Sequence, residues 1–425
     1  MTNLQLALHF FFQVTVILVV CQLVGVLGRR LGQPQVVAEM VAGVLLGPSV
    51  LGLFWPGVFA KLFPPDTMRV LFPVAQLGLA AYMFVVGLEF RTDIVKRKLR
   101  SAVAVSVVGM VAPFVGGAAL AWYFHRHTAL FPANTALLVA MIFLGASLCI
   151  TAFPMLARII QFKKLTATTM GAVSLGAGAI NDAAAWGLLA VVLGSLDDNF
   201  TQAAIHIGGG FVYVAVTSWI VRPLLVRWGR GIEQRGTLSD GEFGLCLILM
   251  TAGAWITESI GLHAVFGAFI MGAVMPRGVV CRELIERVQP VMAALILPIF
   301  FAFSGLHTQI GLLDSLSHWG MAGLVLLAAI VGKGVSCWLA ARATGIPNRE
   351  ALGIGTLMNV RGLMELIIIN IGLQRGIISP ELFAALALMA VVTTLMASPL
   401  FDLLAGAQGD GGLKRAAEAK GLLES

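Results

Sequence analysis

The sequence predicts an all-α protein that crosses a membrane many times. Of its 425 residues, 59% are hydrophobic and only 12% are charged. A water-soluble chain of this length would need far more charge to cover its surface. Apolar runs of 18 residues or more recur along the chain, and each is long enough to span a bilayer as a helix.

Thirteen apolar segments can be marked, and each is predicted to be a transmembrane helix. The first is too long for the apolar part of a signal sequence and has no basic residues before it, so it is expected to be retained. With ends placed to within about 2–4 residues, the segments are 6–28, 35–53, 68–90, 99–124, 133–160, 165–196, 202–226, 240–260, 262–280, 286–308, 318–343, 349–374 and 379–404.

The loops between these segments differ in their content of Lys and Arg. Most of the 28 Lys and Arg residues lie in one alternating set of loops, which includes RRLGQ, RTDIVKRKLR and RWGRGIEQR. Loops rich in Lys and Arg stay on the cytoplasmic side. We therefore predict an outer N-terminus, an inner C-terminus and a short cytoplasmic tail at 405–425. The net charge of +7 then reflects topology and predicts no nucleic-acid partner.

Two of the predicted spans are interrupted. Span five contains Thr151-Ala152-Phe153-Pro154, and span twelve contains GTLMNVRG at 355–362. Proline removes a backbone donor, and glycine permits non-helical backbone. Within the hydrocarbon region such breaks persist only where they are buried in protein or line a wet cavity.

The spacing of the breaks predicts an internal repeat. The breaks are seven spans apart, so residues 6–196 and 240–404 would form two six-helix repeats of opposite topology, joined by a linking helix at 202–226. Interrupted helices at matching positions of two halves indicate the substrate site of a transporter. Two ordinary proline or glycine kinks are the alternative.

A single carboxylate lies deep in the sixth span, in GAGAINDAAAWG. At a helical rise of 1.5 Å per residue, Asp182 is about 27 Å from Lys164 and about 22 Å from Asp197. A charge at this depth costs at least about 2.5–3.5 kcal/mol. Desolvation opposes the charged carboxylate and a bound cation favours it, so such a group can exchange a proton for a cation. A structural aspartate neutralised by a neighbouring Lys or Arg is the alternative.

Oxygen-bearing side chains accompany Asp182 in the sequence. Asn181 is its neighbour, Ser174 lies two turns earlier, and Ser147 and Thr151 share one face of span five. Hard monovalent cations prefer carboxylate, amide and hydroxyl oxygens. Each residue alone is more typical of an interhelical hydrogen bond. The five cysteines are scattered without a metal-binding pattern, and no resident cofactor is predicted.

Three further charges lie inside spans. Arg361 and Glu365 are one helical turn apart and could neutralise each other. Lys333 could face the C-terminus of a half-helix or the field of Asp182, or could extend to the inner surface. A further set of charges lies nearer the cytoplasmic ends of the spans and is expected to line a funnel or an interface: Glu39, Glu89 and Arg158.

Several stretches together resemble one known family. They include AGVLLGPSVLG, FVVGLEFRTDIVKRKLRSA, SLCITAFPMLARII, AINDAAAW, GLHAVFGAFIMGAVMP, PIFFAFSGLHTQI and GTLMNVRGLMELIIINIGLQRGIISPELFAALALMAVVTTLMASPL. They resemble the monovalent cation:proton antiporter superfamily, in the cation:proton antiporter-2 branch that contains Kef-type potassium efflux systems and plant cation/proton exchangers. The similarity extends along nearly all of residues 1–404.

The resemblance implies a homodimer of thirteen-helix subunits, in which two broken helices cross and a core domain moves against a dimerisation domain. It implies that Asp182 binds a proton and a cation in turn, and that Asn181 and Thr151 belong to the same site. Ser147 is expected beside them, and Pro154 is expected to support the break. Lys333, Arg361 and Glu365 match charged family positions with structural or pH-modulating roles.

The expected function is therefore secondary antiport of Na+ or K+ against H+ by alternating access, in pH homeostasis at the inner membrane of a bacterium. One central carboxylate suggests electroneutral 1:1 exchange, since many relatives carry two adjacent acids where this chain has Asn181 and Asp182. Kef-type relatives add a soluble regulatory domain after the last span, and none is expected here. A channel of the same fold is the nearest alternative. An intramembrane aspartyl protease is remote, because it needs a second deep aspartate.

Overall fold

The computed structural model describes residues 2–90, 98–166, 168–196, 200–306, 313 and 315–405, and every regular element in these ranges is helical. The predicted tail beyond residue 405 lies outside the described residues. In the first half of the chain the described residues form nine helices: α1 Asn3–Arg30, α2 Gln35–Leu46, α3 Leu51–Phe54, α4 Pro56–Leu62, α5 Pro65–Glu89, α6 Leu99–His127, α7 Leu137–Cys149, α8 Phe153–Phe162 and α9 Thr169–Leu196.

In the rest of the chain the described residues form eleven further α-helices, and three π-helical turns each join two of them end to end. The α-helices are α10 Phe200–Val216, α11 Arg222–Arg235, α12 Asp240–Ser259, α13 Ala264–Val274, α14 Val279–Val291, α15 Leu297–Leu306, α16 Leu316–Ile330, α17 Ser336–Ala343, α18 Asn348–Leu357, α19 Leu363–Gln374 and α20 Pro380–Leu404. The π turns are Thr217–Val221, Met292–Ile296 and Val331–Val335. They join α10 to α11, α14 to α15 and α16 to α17.

Local sequence accounts for several helix ends. Thr2 and Ser239 each begin a helix with a capping box, in which the hydroxyl accepts from the third residue of the helix. Pro380 occupies the first turn of α20, where a missing N–H costs nothing, and Ser379 before it caps the helix. Gly236 ends α11 with φ 74°, a left-handed conformation that favours glycine.

The helices support the predicted membrane protein. Nine helical stretches in the described ranges, some of them made of two helices in sequence, are long and apolar enough to cross a bilayer by length and composition. Each of the thirteen predicted segments overlaps one helix, or two helices in sequence. Thirteen crossings and the inverted repeats nevertheless stay predictions.

The helices pack as two groups. In the first, which we call the core group, α6 packs on α7, α9 and α17, and α16 packs on α20. In the second, the scaffold group, α2 packs on α1 and α15, and α5 packs on α13 and α15. The two groups meet at a seam where the short helix α8 of the core group lies beside α2 and α5.

A glycine on α6 allows close packing inside the core group. A Cβ atom added at Gly117 would lie 2.7 Å from Leu144 O and 2.9 Å from Gly145 Cα of α7, whereas one added at the adjacent Gly116 would meet nothing within 4 Å. Because the obstructing atoms are backbone, the two helices would have to separate to admit a side chain.

We expect Gly117→Val to destabilise the protein by about 1–3 kcal/mol, the usual cost of overpacking. The matched control Gly116→Val places the same residue one position earlier, on an open face, and should fold like the parent. Thermal unfolding in detergent would compare the two. Equal midpoints for both variants would show that α6 and α7 do not depend on this contact.

Candidate functional site

The two predicted breaks meet in the core group. α7 ends at Cys149, the chain is extended at Ile150 and Ala152, and α8 begins at Phe153. Ala152 N donates to Val360 O at 3.0 Å, and Thr151 Oγ1 donates to Met358 O at 3.0 Å. The two interrupted segments therefore cross and satisfy part of each other's backbone polarity, as burial in an apolar medium requires.

Pro154 lies in the first turn of α8. The N–H that proline lacks has no partner within a helix at this position. Pro154 therefore starts the second half-helix and does not kink a continuous one. In the second broken span, α18 ends at Leu357 and α19 begins at Leu363, so the non-helical part of GTLMNVRG is 358–362.

Two buried cations converge on the C-terminus of α7. Lys333 Nζ donates to Cys149 O. Arg361 donates through its two terminal nitrogens to Ser147 O at 3.0 Å and to Leu148 O at 2.6 Å. The last carbonyls of a helix lack intrahelical partners and carry partial negative charge. Lys333 and Arg361 thus bond the three final carbonyls of this half-helix.

Arg361 also has an acidic partner. Its Nη1 lies 3.5 Å from Glu365 Oε2, one turn later on α19, and both side chains are at most 1% exposed. Thr394 of α20 accepts from Arg361 N at 3.1 Å and donates to Arg361 O at 2.9 Å. Residues on α7, α19 and α20 therefore hold the break in span twelve in place at Arg361.

Asp182 lies on α9 and is 2% exposed. Its Oδ1 atom is buried and has no hydrogen-bond partner among the described residues. No Lys or Arg in those ranges forms an ion pair with it within 4 Å; the buried Lys333 and Arg361 bond the end of α7, and Arg361 also pairs with Glu365. An uncompensated carboxylate in this position has free capacity for a proton or a cation.

Asn181 links Asp182 to the crossing. Its amide group lies 2.5 Å from Ser106 Oγ of α6, and Nδ2 donates to Thr151 Oγ1 at 3.4 Å. With the amide turned over, the nitrogen donates to Ser106 Oγ and the oxygen accepts from Lys333 Nζ at 3.3 Å. Only hydrogen-bonding partners distinguish the two orientations. In either orientation Ser106 bonds one side of the Asn181 amide, and the other side bonds Thr151 in the first orientation or Lys333 in the second.

The other predicted oxygen ligands lie in different settings. Ser147 Oγ donates to Phe143 O of its own helix at 2.9 Å, so its hydroxyl hydrogen is engaged on α7. Ser174 Oγ on α9 is buried and has no partner among the described residues. The structure thus brings Asn181 and Thr151 into contact and leaves Ser174 unpaired.

Sequence reasoning missed Ser106 and Thr394. Ser106 occurs in AVAVSVVG, and an isolated serine is ordinary in a membrane helix. Thr394 lies next to Thr393, and both side chains donate within α20. Neither has a sequence signal that sets it apart, because its importance comes from a residue on another helix.

The donor set suits a weakly held monovalent cation. A carboxylate, an amide and hydroxyl groups are hard oxygen ligands. The described residues contain no cluster of three or more His, Cys, Asp or Glu side chains that could hold a resident metal ion.

Known proteins resemble this chain over most of its length. Residues 15–404 match the family described as "Sodium/hydrogen exchanger, transmembrane". The chain is 38% identical over 389 residues to the Na(+)/H(+) antiporter NhaS4 of Synechocystis, covering 91% of this chain and 95% of that protein.

A plant relative is similar over a shorter part of its own length. Cation/H(+) antiporter 17 of Arabidopsis thaliana is 35% identical over 393 residues, which cover 91% of this chain and 47% of that protein. The chain thus spans about half the length of this relative.

A solved structure has the same fold. The sodium proton antiporter MjNhaP1 from Methanocaldococcus jannaschii superposes with a TM-score of 0.61, and the match covers 95% of this chain and 98% of that one. The two sequences are 15% identical, so this likeness concerns the fold alone.

Proposed function

The chain belongs to the transmembrane sodium/hydrogen exchanger family, and we propose that it exchanges Na+ or K+ for a proton across a membrane. One observation carries this proposal. Asp182 is buried beside the crossing of two broken segments, and its Oδ1 atom has no partner among the described residues. Such a carboxyl can take either a proton or a cation, but a bare charge there is costly.

The cost of the bare carboxylate supplies the coupling. With Asp182 ionised, a cation binds, and the core group shifts to expose the site on the other side. The cation leaves, a proton replaces it, and the neutral carboxyl returns. An empty, ionised Asp182 does not cross, because it would carry an unpaired charge through the low-dielectric barrier. Neither ion then moves without the other.

The neighbouring residues have separate roles in this proposal. Asn181 and Thr151 contribute oxygens beside Asp182, and Ser147 lies on the half-helix that leads to them. Lys333 and Arg361 hold the end of that half-helix, and Glu365 balances Arg361. Pro154 begins the second half-helix without leaving an unpaired N–H.

The proposed architecture adds membrane crossings, internal repeats and a dimer to the helices described above. We propose a transmembrane domain over residues 1–404 with thirteen crossings, in which repeats at 6–196 and 240–404 are inverted about a linking helix at 202–226. Two such subunits would form a homodimer in a bacterial inner membrane and act in pH homeostasis. The loops rich in Lys and Arg support an outer N-terminus and an inner C-terminus, with 405–425 as a cytoplasmic tail.

Flux measurements on the purified protein in liposomes test the proposal. With a proton gradient and a pH-sensitive dye, addition of Na+ or K+ should release protons in a saturable manner. A channel of the same fold would instead carry a cation current without moving protons. For 1:1 exchange, the ion gradients at which net flux vanishes should not change when a voltage is imposed. A shift of this null point with voltage would contradict electroneutrality.

A further inference from the structure

The amide of Asn181 has two hydrogen-bonding sides, and α6 lies against one of them. Ser106 of α6 is fully buried, and its Oγ atom lies 2.5 Å from the amide group. The other side of the amide faces Thr151 at the first break and Lys333 in the π turn between α16 and α17. The orientation of the amide therefore decides whether an N–H group or an oxygen faces the crossing of the two broken segments.

Tight packing of α6 on α17 brings Ser106 and Lys333 to the same amide. A Cβ atom added at Gly109 of α6 would collide with Cys337 Sγ of α17. Ser106 lies one turn before Gly109, and Lys333 lies one turn before Cys337. The two side chains therefore approach Asn181 from two neighbouring helices, whose separation is fixed by this contact.

One orientation of the amide places an N–H group at the crossing. The Ser106 hydroxyl then donates to Asn181 Oδ1, and Nδ2 donates to Thr151 Oγ1 at 3.4 Å. In this orientation Nδ2 also faces the ammonium group of Lys333. A lysine ammonium has three donors and no acceptor, so two N–H groups oppose each other.

The reverse orientation makes better use of the same neighbours. Nδ2 then donates to Ser106 Oγ at 2.5 Å and to Ser106 O at 3.2 Å, and Oδ1 accepts from Lys333 Nζ at 3.3 Å. Both amide hydrogens are used on α6, and a charged donor gives a stronger bond than a neutral one. An amide oxygen has two lone pairs, of which Lys333 uses one. Three hydrogen bonds against two favour this orientation, in which the oxygen faces the crossing.

We propose that Ser106 is a positioning residue of the cation site, which holds the nitrogen of Asn181 on α6 so that the amide oxygen is presented beside Asp182. The inference rests on the proposed antiport, in which a cation binds Asp182 and Asn181 contributes an oxygen. Hard cations bind oxygen ligands, and an N–H group at the same place would repel them. Ser106 thus acts on the cation through the amide and makes no contact with the cation itself.

Ser106→Ala tests this role in proteoliposomes. The substitution removes the hydroxyl and leaves the backbone carbonyl, so the amide loses one of its two acceptors on α6. We expect the Na+ or K+ concentration for half-maximal exchange to rise about two- to tenfold, the weight of one hydrogen bond. The rate at saturating cation should stay close to that of the parent, because the site is then loaded in both proteins. A lower maximal rate with an unchanged half-saturating concentration would overturn the proposal.

Two further substitutions on α6 separate the hydroxyl from general packing. Ser106→Thr keeps a hydroxyl and should restore most of the affinity that Ser106→Ala loses. Ser101→Ala removes another buried hydroxyl from α6, about 7.5 Å away along the helix axis, and should exchange ions like the parent. Equal losses of affinity in Ser101→Ala and Ser106→Ala would assign the effect to the packing of α6 and contradict the positioning role.

Cation binding without transport provides a second measurement. Thermal midpoints of the purified protein in detergent, across Na+ or K+ concentrations with choline as the reference ion, report binding to the folded state. Ser106→Ala should weaken binding in the parent and have no further effect when Asn181→Ala is already present, because neighbouring groups that act together are not additive.

The outcomes distinguish this inference from the proposed antiport. Equal effects of Ser106→Ala with and without Asn181→Ala would contradict the positioning role alone. A parent that binds the cation but exchanges no protons would contradict the antiport and leave the binding result standing. A parent that binds neither Na+ nor K+ would contradict both proposals.

Discussion

Asp182→Asn is expected to reduce exchange to the level of protein-free liposomes. Asparagine has nearly the same shape, so packing on α9 should survive, but it can neither release a proton nor bring a negative charge to a cation. Both halves of the proposed cycle would stop together. The measurement is cation-induced proton release in proteoliposomes. The amount of protein that elutes as a folded species is measured for each variant, so that the rates can be compared per folded protein.

The matched control is Asp402→Asn. Asp402 lies near the end of α20, where its side chain is half exposed and pairs with Lys163 at 2.6 Å. Exposed pairs contribute little to stability, so this variant should exchange ions like the parent. Exchange by Asp182→Asn at the parent rate would rule out Asp182 as the shared site.

Arg361→Met is expected to have the largest effect on folding. It removes the donors to Ser147 O and Leu148 O and leaves Glu365 without its partner in a buried position. Breaking a buried ion pair by removing one partner costs about 3–5 kcal/mol. We expect a large fall in the yield of folded protein and in its thermal midpoint in detergent.

A second substitution separates the two parts of this cost. Arg361→Met combined with Glu365→Met removes both charges, and replacing a whole buried pair by apolar side chains is often close to neutral. The double variant should therefore recover much of the thermal stability. It should not recover transport, because the carbonyls at the end of α7 still lack their donor. A double variant as unstable as Arg361→Met would assign the cost to those carbonyls.

The sequence predicted the parts of the molecule that depend on local chemistry. Hydropathy marks where a helix can enter the bilayer, and each marked segment overlaps helical structure. The two breaks were predicted from Pro154 and from the glycines of GTLMNVRG, since these residues alter the backbone wherever they occur. The family resemblance, seen in motifs such as AINDAAAW, was confirmed by the comparisons.

Other features depend on which helices become neighbours, and local sequence does not contain that information. The sequence left three possible positions for Lys333, and the structure places its ammonium group at Cys149 O, at the C-terminus of a half-helix. Nor does local sequence show that two backbone carbonyls of the second break, Met358 O and Val360 O, accept bonds from Thr151 and Ala152 of the first. The roles assigned to Asp182, Asn181, Thr151 and Ser147 stay predictions that the variants above can test.

The buried charges around α7 also bear on membrane voltage. Lys333, Arg361 and Glu365 are bound within the core group, and together they carry one net positive charge. Asp182 adds nothing to this sum when it holds either a proton or a monovalent cation. Both loaded forms would thus move the same fixed charge through the field, in opposite directions. Each elementary charge that crosses the whole field is worth about 2.3 kcal/mol per 100 mV. The membrane potential would bias which side the loaded carrier faces, although the complete cycle moves no net charge.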